Sequence, residues 1–343
     1  MACHKGLLNV CYSDKVLRYT AHSPAARRDF FFAQPNSKLE TQNLPLTLQR
    51  MFQTAPAPTQ SDTLPQPRIA IQGYAGAFHE IAARHYCAPL LPEVVPSDTF
   101  AGLVDLVEGG EACDLGLMAI ENTLAGSLIG NYKLLTKSRL RVIGEVFLRI
   151  RQNLMVLPGQ TIADLREVHS HPIAIAQCVE FFQLHPHIKL IDATDTALSA
   201  RLIREKGLLD TGAIASTLAA DLYELDVIAP SIETNKKNFT RFLVLQRIEE
   251  ALPIPDANKV SLCFTVDHTI GSLHKVLAAL AAHNANLTKI QSVPIVGRDW
   301  EYEFFLDFTT ETPNTYEAAL QAIKPLTHDL KVLGAYRMGN HYE

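Results

Sequence analysis

Four short clusters hold the side chains of this 343-residue chain best suited to gripping an anion or moving a proton. The first, Gln72-Gly-Tyr-Ala-Gly-Ala-Phe-His-Glu80, reads as a glycine-containing turn between a strand and a helix. Backbone N–H groups near Gly76 and the positive helix end are then available to an anion. A tight strand-to-helix connection explains the same glycines without a ligand. The second, Glu121-Asn-Thr-Leu-Ala-Gly-Ser127, follows an apolar run ending at Ile120. Polar residues just beyond such a strand lie at the ligand edge of an α/β sheet. Asn122 can donate and accept there, whereas Ser127 reads as the cap of a helix beginning at Leu128.

The third cluster, His169-Ser-His-Pro-Ile-Ala-Ile-Ala-Gln177, puts proline at a first helical position. A helix therefore starts at Pro172, with Ser170 just before it, and Gln177 on the same helix. The Ser170 hydroxyl and free N–H groups near His171 are placed to meet a carboxylate. Metal binding by His169 and His171, or by His185 and His187, is the alternative. Neither pair has further ligands at recognisable spacing, so no metal is expected. The fourth, Asn238-Phe-Thr-Arg-Phe242, leads into an apolar strand. In extended chain Thr240 and Arg241 point to opposite sides, so one can face a cleft while the other supports it. An ordinary strand start with a solvated arginine is the alternative.

Short apolar runs and helical patterns alternate from Arg68 onward, which is the grammar of an α/β fold. One set runs through Arg68 to Gln72, Phe78 to Tyr86, Leu115 to Ile120 and Leu128 to Thr136. A second holds Val168, a helix Pro172 to Leu184, Ile188 to Ile191, a helix Thr196 to Glu205, Gly212 to Ala215 and a helix Thr217 to Tyr223. The chain then returns to strand at Arg241 to Leu245. Two sheet-and-helix lobes around a cleft fit this double set. After the charged, proline-containing stretch Glu249 to Asp256 the pattern becomes βαββαβ. Its strands are Lys259 to Val266, Leu287 to Val296, Glu301 to Phe308 and Leu330 to Tyr336, with helices Ser272 to His283 and Pro313 to Ile323. That is the ferredoxin-like arrangement. The expected domains are residues 68–248, in two lobes, and 257–338. Residues 1–67 lack periodicity and end in a Pro/Gln/Thr run that reads as a linker, so they are expected to be a poorly ordered extension. A start codon chosen too early explains them equally, since Met51 lies just upstream.

Hydrophobic residues make up 47% and charged residues 20%, the profile of a globular chain able to build large cores. With 31 basic and 36 acidic residues the net charge is -5, which excludes a global attraction for nucleic acid or anionic lipid. No apolar run approaches the roughly 18 residues of a membrane span, and no secretory signal is evident. Six scattered cysteines without a pairing framework indicate a reduced, cytoplasmic protein.

Taken in order, the four clusters resemble prephenate dehydratase, an enzyme family of phenylalanine biosynthesis, from Arg68 to Arg337. The family's Gly-x-x-Gly-Thr-Phe-Ser turn stands here as Gly73 to His79. Its Glu-Asn-Ser with Gly-Ser appears as Glu121-Asn-Thr with Gly126-Ser127. Its Ser-His-Pro with a downstream Gln is Ser170-His-Pro with Gln177, its Thr-Arg-Phe is Thr240-Arg-Phe242, and Thr196 in Asp195-Thr-Ala matches its Ser-Thr-Ala. The βαββαβ tail is similar to an ACT regulatory domain. Ala77 and His79 depart from the family's Thr and Ser. In the tail, Gly271-Ser-Leu273 and Gln291-Ser-Val-Pro294 stand for Gly-Ala-Leu and Glu-Ser-Arg-Pro.

The resemblance implies a two-lobed catalytic domain like that of periplasmic binding proteins, plus the ACT unit. It implies conversion of prephenate to phenylpyruvate, with loss of water and carbon dioxide and without a cofactor. Thr240 is the implied hydrogen-bond donor to the leaving hydroxyl. Asn122, Ser170, Gln177, Gly76, Thr196, Arg241 and Glu121 are the implied substrate contacts, with two alternatives open. Arg241 either adds positive charge or braces the lobe, and Glu121 is either a protonated acid or an ionised structural carboxylate. An effector site for L-phenylalanine is expected at Gly271, Ser272, Leu273, Asn286 and Leu287, in a homodimer or homotetramer. Rival readings are an arogenate dehydratase, acting on the aminated analogue, and a non-catalytic two-lobed binding protein.

Overall fold

The structure is a computed structural model and describes residues 48–49 and 66–343. The first lobe is built from β1 (Arg68–Gln72), α1 (Phe78–Cys87), β2 (Glu93–Ser97), α2 (Phe100–Gly109), β3 (Leu115–Asn122), β4 (Gly126–Ser127), α3 (Ile129–Lys137) and β5 (Leu140–Arg149). The second holds β6 (Asn153–Val156), β7 (Glu167–Ser170), α4 (Pro172–Gln177), α5 (Val179–Gln183), β8 (Lys189–Asp192), α6 (Thr196–Lys206), β9 (Thr211–Ala215), α7 (Thr217–Leu222) and β10 (Asp226–Ala229). The chain then re-enters the first lobe as β11 (Phe239–Arg247). A βαββαβ unit follows: β12 (Lys259–Thr265), α8 (Ser272–Ala282), β13 (Asn286–Pro294), β14 (Tyr302–Thr309), α9 (Tyr316–Ile323) and β15 (His328–Tyr336). A last short strand, β16 (His341–Tyr342), runs parallel to β5 at the edge of the first sheet.

The sheet orders are β16-β5-β11-β3-β1-β2, with β4 beside β3, then β10-β6-β9-β7-β8, and β13-β14-β12-β15. In the first sheet β1 is parallel to β2 and β3, while β11 lies antiparallel between β3 and β5. The run Leu115 to Ile120 is buried throughout, which fits its lack of alternation. One face of this sheet packs Ile69, Ile71, Leu117 and Val244 against Ala82, Ala83 and Cys87 of α1. Leu48 joins the same core and is fully buried. That residue contradicts the expectation of a loose appendage at its position; the rest of that expectation, apart from Gln49 and residues 66–67, lies outside the described residues.

The other face is covered partly by α2 and α3 and partly by the C-terminal unit. Met118, Ile120, Val142 and Leu243 share a core with Cys263, Val293, Phe305 and Tyr336. Alternation makes this possible. In β12, Val260, Leu262 and Phe264 face the helices α8 and α9, while Ser261 and Cys263 turn toward the first lobe. The two backbones come very close at Gly334 in β15. A Cβ there would lie 2.1 Å from the Val142 carbonyl oxygen, so a side chain is sterically excluded.

Several boundaries differ from the sequence reading. The expected single helix Pro172 to Leu184 is two helices, broken at Cys178, where φ is -110°. Strand β2 carries Pro96 in edge position and alternates too weakly to be read. His79 packs edge-on against Phe242, with ring centroids 4.9 Å apart, and its buried Nε2 has no partner among the described residues. It supplies no polar contact in place of the family's hydroxyl. Burial pushes its pKa down to about 3.

Replacing Gly334 by alanine is expected to destabilise the chain by roughly 2 kcal/mol or more, because backbone must move to admit the methyl group. An unchanged denaturant midpoint would contradict the close approach. For His79, the unfolded chain takes up a proton below its ordinary pKa while the folded chain does not until about 3. Stability therefore falls as pH drops through that window, by at most about 1.4 kcal/mol per pH unit from this group. A His79→Phe variant should show a shallower acid slope, and an identical slope would remove His79 from the explanation.

Candidate active site at the hinge

The chain crosses between lobes twice, at residues 150–152 and 230–238, and the two crossings are stitched together. Ile150 N–H donates to the Asn238 carbonyl at 2.7 Å and Ile232 N–H to the Gln152 carbonyl at 2.7 Å. Around this hinge four amide side chains and one hydroxyl form a continuous network. Asn122 Nδ2 donates to Asn238 Oδ1 at 2.8 Å and to Thr240 Oγ1 at 3.0 Å. Asn238 Nδ2 donates to Gln177 Oε1 at 2.9 Å, and Gln152 Nε2 donates to the same oxygen at 3.1 Å.

Each member is fixed by its element. Asn122 and Thr240 are directly opposed in the β3–β11 ladder. Asn122 Oδ1 is also engaged, accepting from Leu124 N–H and Ala125 N–H at 2.9 Å each, which sets the turn after β3. Gln177 ends α4 and is held by its backbone as well, through Thr234 N–H to its carbonyl at 2.8 Å. With its oxygen accepting two bonds, Gln177 Nε2 is left as a donor without a partner among the described residues. Gln152 Oε1 is buried and has no partner among the described residues. Asn122, Gln177 and Thr240 are thus brought together. Asn238 and Gln152, which complete the network, were not singled out from the sequence. The only signal was an amide residue at each interlobe crossing.

The neighbouring residues turn the other way. Arg241 is 5% exposed and donates to Glu145 at 2.7 Å, Asp307 at 2.5 Å and the Tyr336 hydroxyl at 2.9 Å. Burial alone would lower its pKa, but Asp307, Tyr336 and Glu145 outweigh that and hold it well above its ordinary value. Asp307 is held below the usual carboxylate range, because Arg241 overcomes the opposing effect of burial. Of the two roles left open, Arg241 therefore takes the bracing one, and the expectation that it touches substrate is corrected. Glu121, its cross-strand partner, points toward the C-terminal unit and pairs with Lys289 at 3.0 Å. Its carboxylate is committed to this structural contact on the reverse side of the strand and is not placed as a proton donor in the cleft. Ser127 accepts from Lys289 at 2.7 Å and caps no helix; α3 has Leu128 at its N-cap.

Two other expected contacts are already spent. The Ser170 hydroxyl is fully buried and donates to the Ile214 carbonyl at 2.7 Å, so its proton anchors β7 to β9 and is not offered to a carboxylate. The Gly76 N–H donates to Glu80 at 2.7 Å, and its carbonyl accepts from Ser216 at 2.5 Å. Gly76 has φ +87°, and a Cβ would sit 2.8 Å from Ala219 Cα, so this glycine is where the first lobe presses on α7 of the second. The third cluster's turn is likewise partly satisfied, with His171 Nδ1 accepting from Ile173 N–H at 3.2 Å. Thr196 opens α6 beside Asp195, whose carboxylate caps Leu198 N–H at 2.8 Å and abuts Gly73. Thr196 makes no hydrogen bond through its side chain among the described residues.

In the C-terminal unit a surface cavity of about 360 Å³ is lined by Val266, Asp267, Thr269, Ser272, Leu273 and Phe304, among others. Ser272 and Leu273 from the expected effector set line it, and Gly271 (φ +83°) forms the turn between Ile270 and Ser272. Asn286 and Leu287 do not line it; they start the exposed edge strand β13.

No helix among the described residues is long and apolar enough to cross a membrane. Arogenate dehydratase 1 of Petunia hybrida is 37% identical over 313 residues, covering 86% of this chain and 72% of that protein. A bifunctional N-acyl-homoserine lactone acylase/prephenate dehydratase of Komagataeibacter europaeus is 33% identical over 276 residues, covering 78% and 95%. Among solved structures, a prephenate dehydratase of Arthrobacter aurescens in complex with L-Phe superposes with a TM-score of 0.69 at 25% identity, over 79% of this chain and 89% of that one. The family model described as prephenate dehydratase matches residues 69–250, which contain both lobes and the whole amide–hydroxyl network. With a match of that extent, the chain belongs to the prephenate dehydratase family.

Proposed function

We propose that this enzyme is a carbon–oxygen lyase that converts prephenate to phenylpyruvate in the cleft between the two lobes. The ring carboxylate leaves as carbon dioxide, its bonding electrons enter the ring, and the ring hydroxyl departs with a proton as water. Aromatisation drives the reaction, so the protein has to orient the substrate and stabilise the leaving oxygen. The observation that carries the reading is the state of Thr240. Its Oγ1 accepts from Asn122 Nδ2 at 3.0 Å, and its own proton has no acceptor among the described residues. A hydroxyl held in this way is a fixed donor for an oxygen that gains negative charge in the transition state. Gln177 Nε2 supplies a second donor, and the Asn238 and Gln152 side chains hold both groups in place. Thr196 stands as a further contact on the second lobe. No group in the network needs a cofactor or metal to act.

Arogenate is the second reading, favoured by the names of relatives such as that of Petunia hybrida. The two substrates differ by an amine for a keto group, away from the leaving hydroxyl, so the same network serves either.

The βαββαβ unit is proposed to be an ACT domain that binds L-phenylalanine in the cavity at Ser272 and Leu273. An apolar side chain would lie against Leu273 and Phe304, and the turn at Gly271 would approach the amino-acid backbone. The exposed edge strand β13 offers a pairing surface for a second copy, in a homodimer or homotetramer. The buried free cysteines, Cys87, Cys113, Cys178 and Cys263, fit a cytoplasmic setting.

With purified protein and either substrate, Thr240→Ala is expected to depress kcat by about 10²-fold or more, and Thr240→Ser to restore most of it. Turnover of Thr240→Ala near the native rate would refute the assignment. Titration calorimetry with L-phenylalanine should show saturable heat and parallel inhibition. Absence of both would leave the C-terminal unit without an effector role.

A further inference from the structure

We propose that Lys289 and Asp307, on β13 and β14 of the C-terminal unit, are positioning residues for the site at the hinge. This rests on the reading of Thr240 and Asn122 given above. The ladder between β3 and β11 is irregular at the site. Thr240 pairs with Asn122 and Arg241 with Glu121, but the register then shifts, and Phe242 pairs with Ala119. The Thr240–Asn122 pair, which holds the site residues, and the adjoining Arg241–Glu121 pair are therefore separated from the rest of the β3–β11 ladder by a bulge. On their other sides β11 stays in regular register with β5 from Phe239 to Val244, and the end of β3 pairs only with the two-residue β4; beyond these ladders, both outward-facing members of the inner pair are gripped by the neighbouring domain.

Lys289 Nζ lies 3.0 Å from Glu121, donates to Ser127 at 2.7 Å and sits 5.2 Å from the centre of the Tyr132 ring. Its side chain is 5% exposed. One ammonium thus fastens the end of β3, the end of β4 and helix α3. Asp307 binds Arg241 of β11 across the two sheets, in a pocket completed by Glu145, Lys259 and Tyr336. Lys259 bonds Glu145 at 2.8 and 2.9 Å, so the cluster holds two cations and two carboxylates. Removing either acid leaves an uncompensated buried cation. Because consecutive side chains of a strand share one rigid backbone, a shift of Glu121 or Arg241 carries Asn122 or Thr240 with it. Misplacement of catalytic groups by about 1 Å is enough to cost up to 10²-fold in rate. The C-terminal unit thus acts on the site through salt bridges on the reverse side of the same two strands, without touching the cleft.

The test uses the full-length chain with Lys289→Met, which keeps the volume, and Lys289→Arg, which keeps the charge. Two readouts are taken: kcat and KM on prephenate and arogenate, and amide hydrogen exchange of segments 119–124 and 238–243. For Lys289→Met the expectation is a fall in kcat of about tenfold or more with KM within about twofold, and faster exchange in both segments. Lys289→Arg should behave as the native chain. Adding Glu121→Gln to Lys289→Met should cost less than the two single losses combined, because both remove the Lys289–Glu121 ion pair, while Lys289 also holds Ser127 and Glu121 also lies 3.9 Å from Arg241. Asp307 is fully buried and Asp307→Asn risks misfolding, so it serves as the second variant, with the same expected pattern. Native kcat and native exchange in Lys289→Met would overturn the proposal, as would losses that multiply in the double variant. If the native chain turned over neither substrate, the proposed function would fail, while the exchange measurement would still decide whether Lys289 holds the strand ends.

Discussion

A guanidinium removed from water needs its charge matched and its donors filled, and Arg241 meets both needs between Glu145, Asp307 and the Tyr336 hydroxyl. Since side chains alternate along a strand, committing Arg241 to that pocket commits Thr240 to the opposite face. The same holds one strand away, where Glu121 is drawn to Lys289 and Asn122 is left facing the hinge. Two adjacent residues on each of two paired strands thus divide the labour. One layer builds the proposed active site and the other ties the catalytic lobe to its C-terminal neighbour.

The proposed site is notable for what its members are: two asparagines, two glutamines and a threonine, none of which titrates in the physiological range. The carboxyl groups nearby are engaged elsewhere, Glu80 with the Gly76 amide and Asp195 with the start of α6. Such an arrangement suits a reaction driven by aromatisation, which needs orientation and hydrogen bonds to a departing oxygen more than a strong acid. It also explains why the network spans the hinge. Gln152 and Asn238 belong to the two crossings, so the geometry around Thr240 depends on how the lobes are held.

Much of this was legible in the sequence. The alternation of Thr240 and Arg241 followed from strand geometry alone, and the double α/β set with a βαββαβ tail followed from apolar periodicity. What stayed hidden depended on partners distant in the chain. That Arg241 finds Asp307, 66 residues away, and that Ser170 spends its hydroxyl on Ile214 are facts of tertiary packing that no local pattern encodes. The Gly76 amide illustrates a different limit. The turn is legible, but its N–H is consumed by Glu80 four residues later, a competitor within the same motif. Gln152 and Asn238 were missed because amides in connecting segments look like ordinary solvated loop residues until the crossings are seen to pair.

The proposed chemistry is carried by uncharged donors at the hinge. Its most direct test is the dependence of kcat on pH, followed as aromatic product formed from saturating substrate. A network of amides and a hydroxyl predicts a flat kcat from about pH 6 to 9, with any loss at the acid side tracking global unfolding. A kcat that falls with a single ionisation inside that range, in protein that remains folded, would show a titrating acid or base in the rate-limiting step and contradict the account.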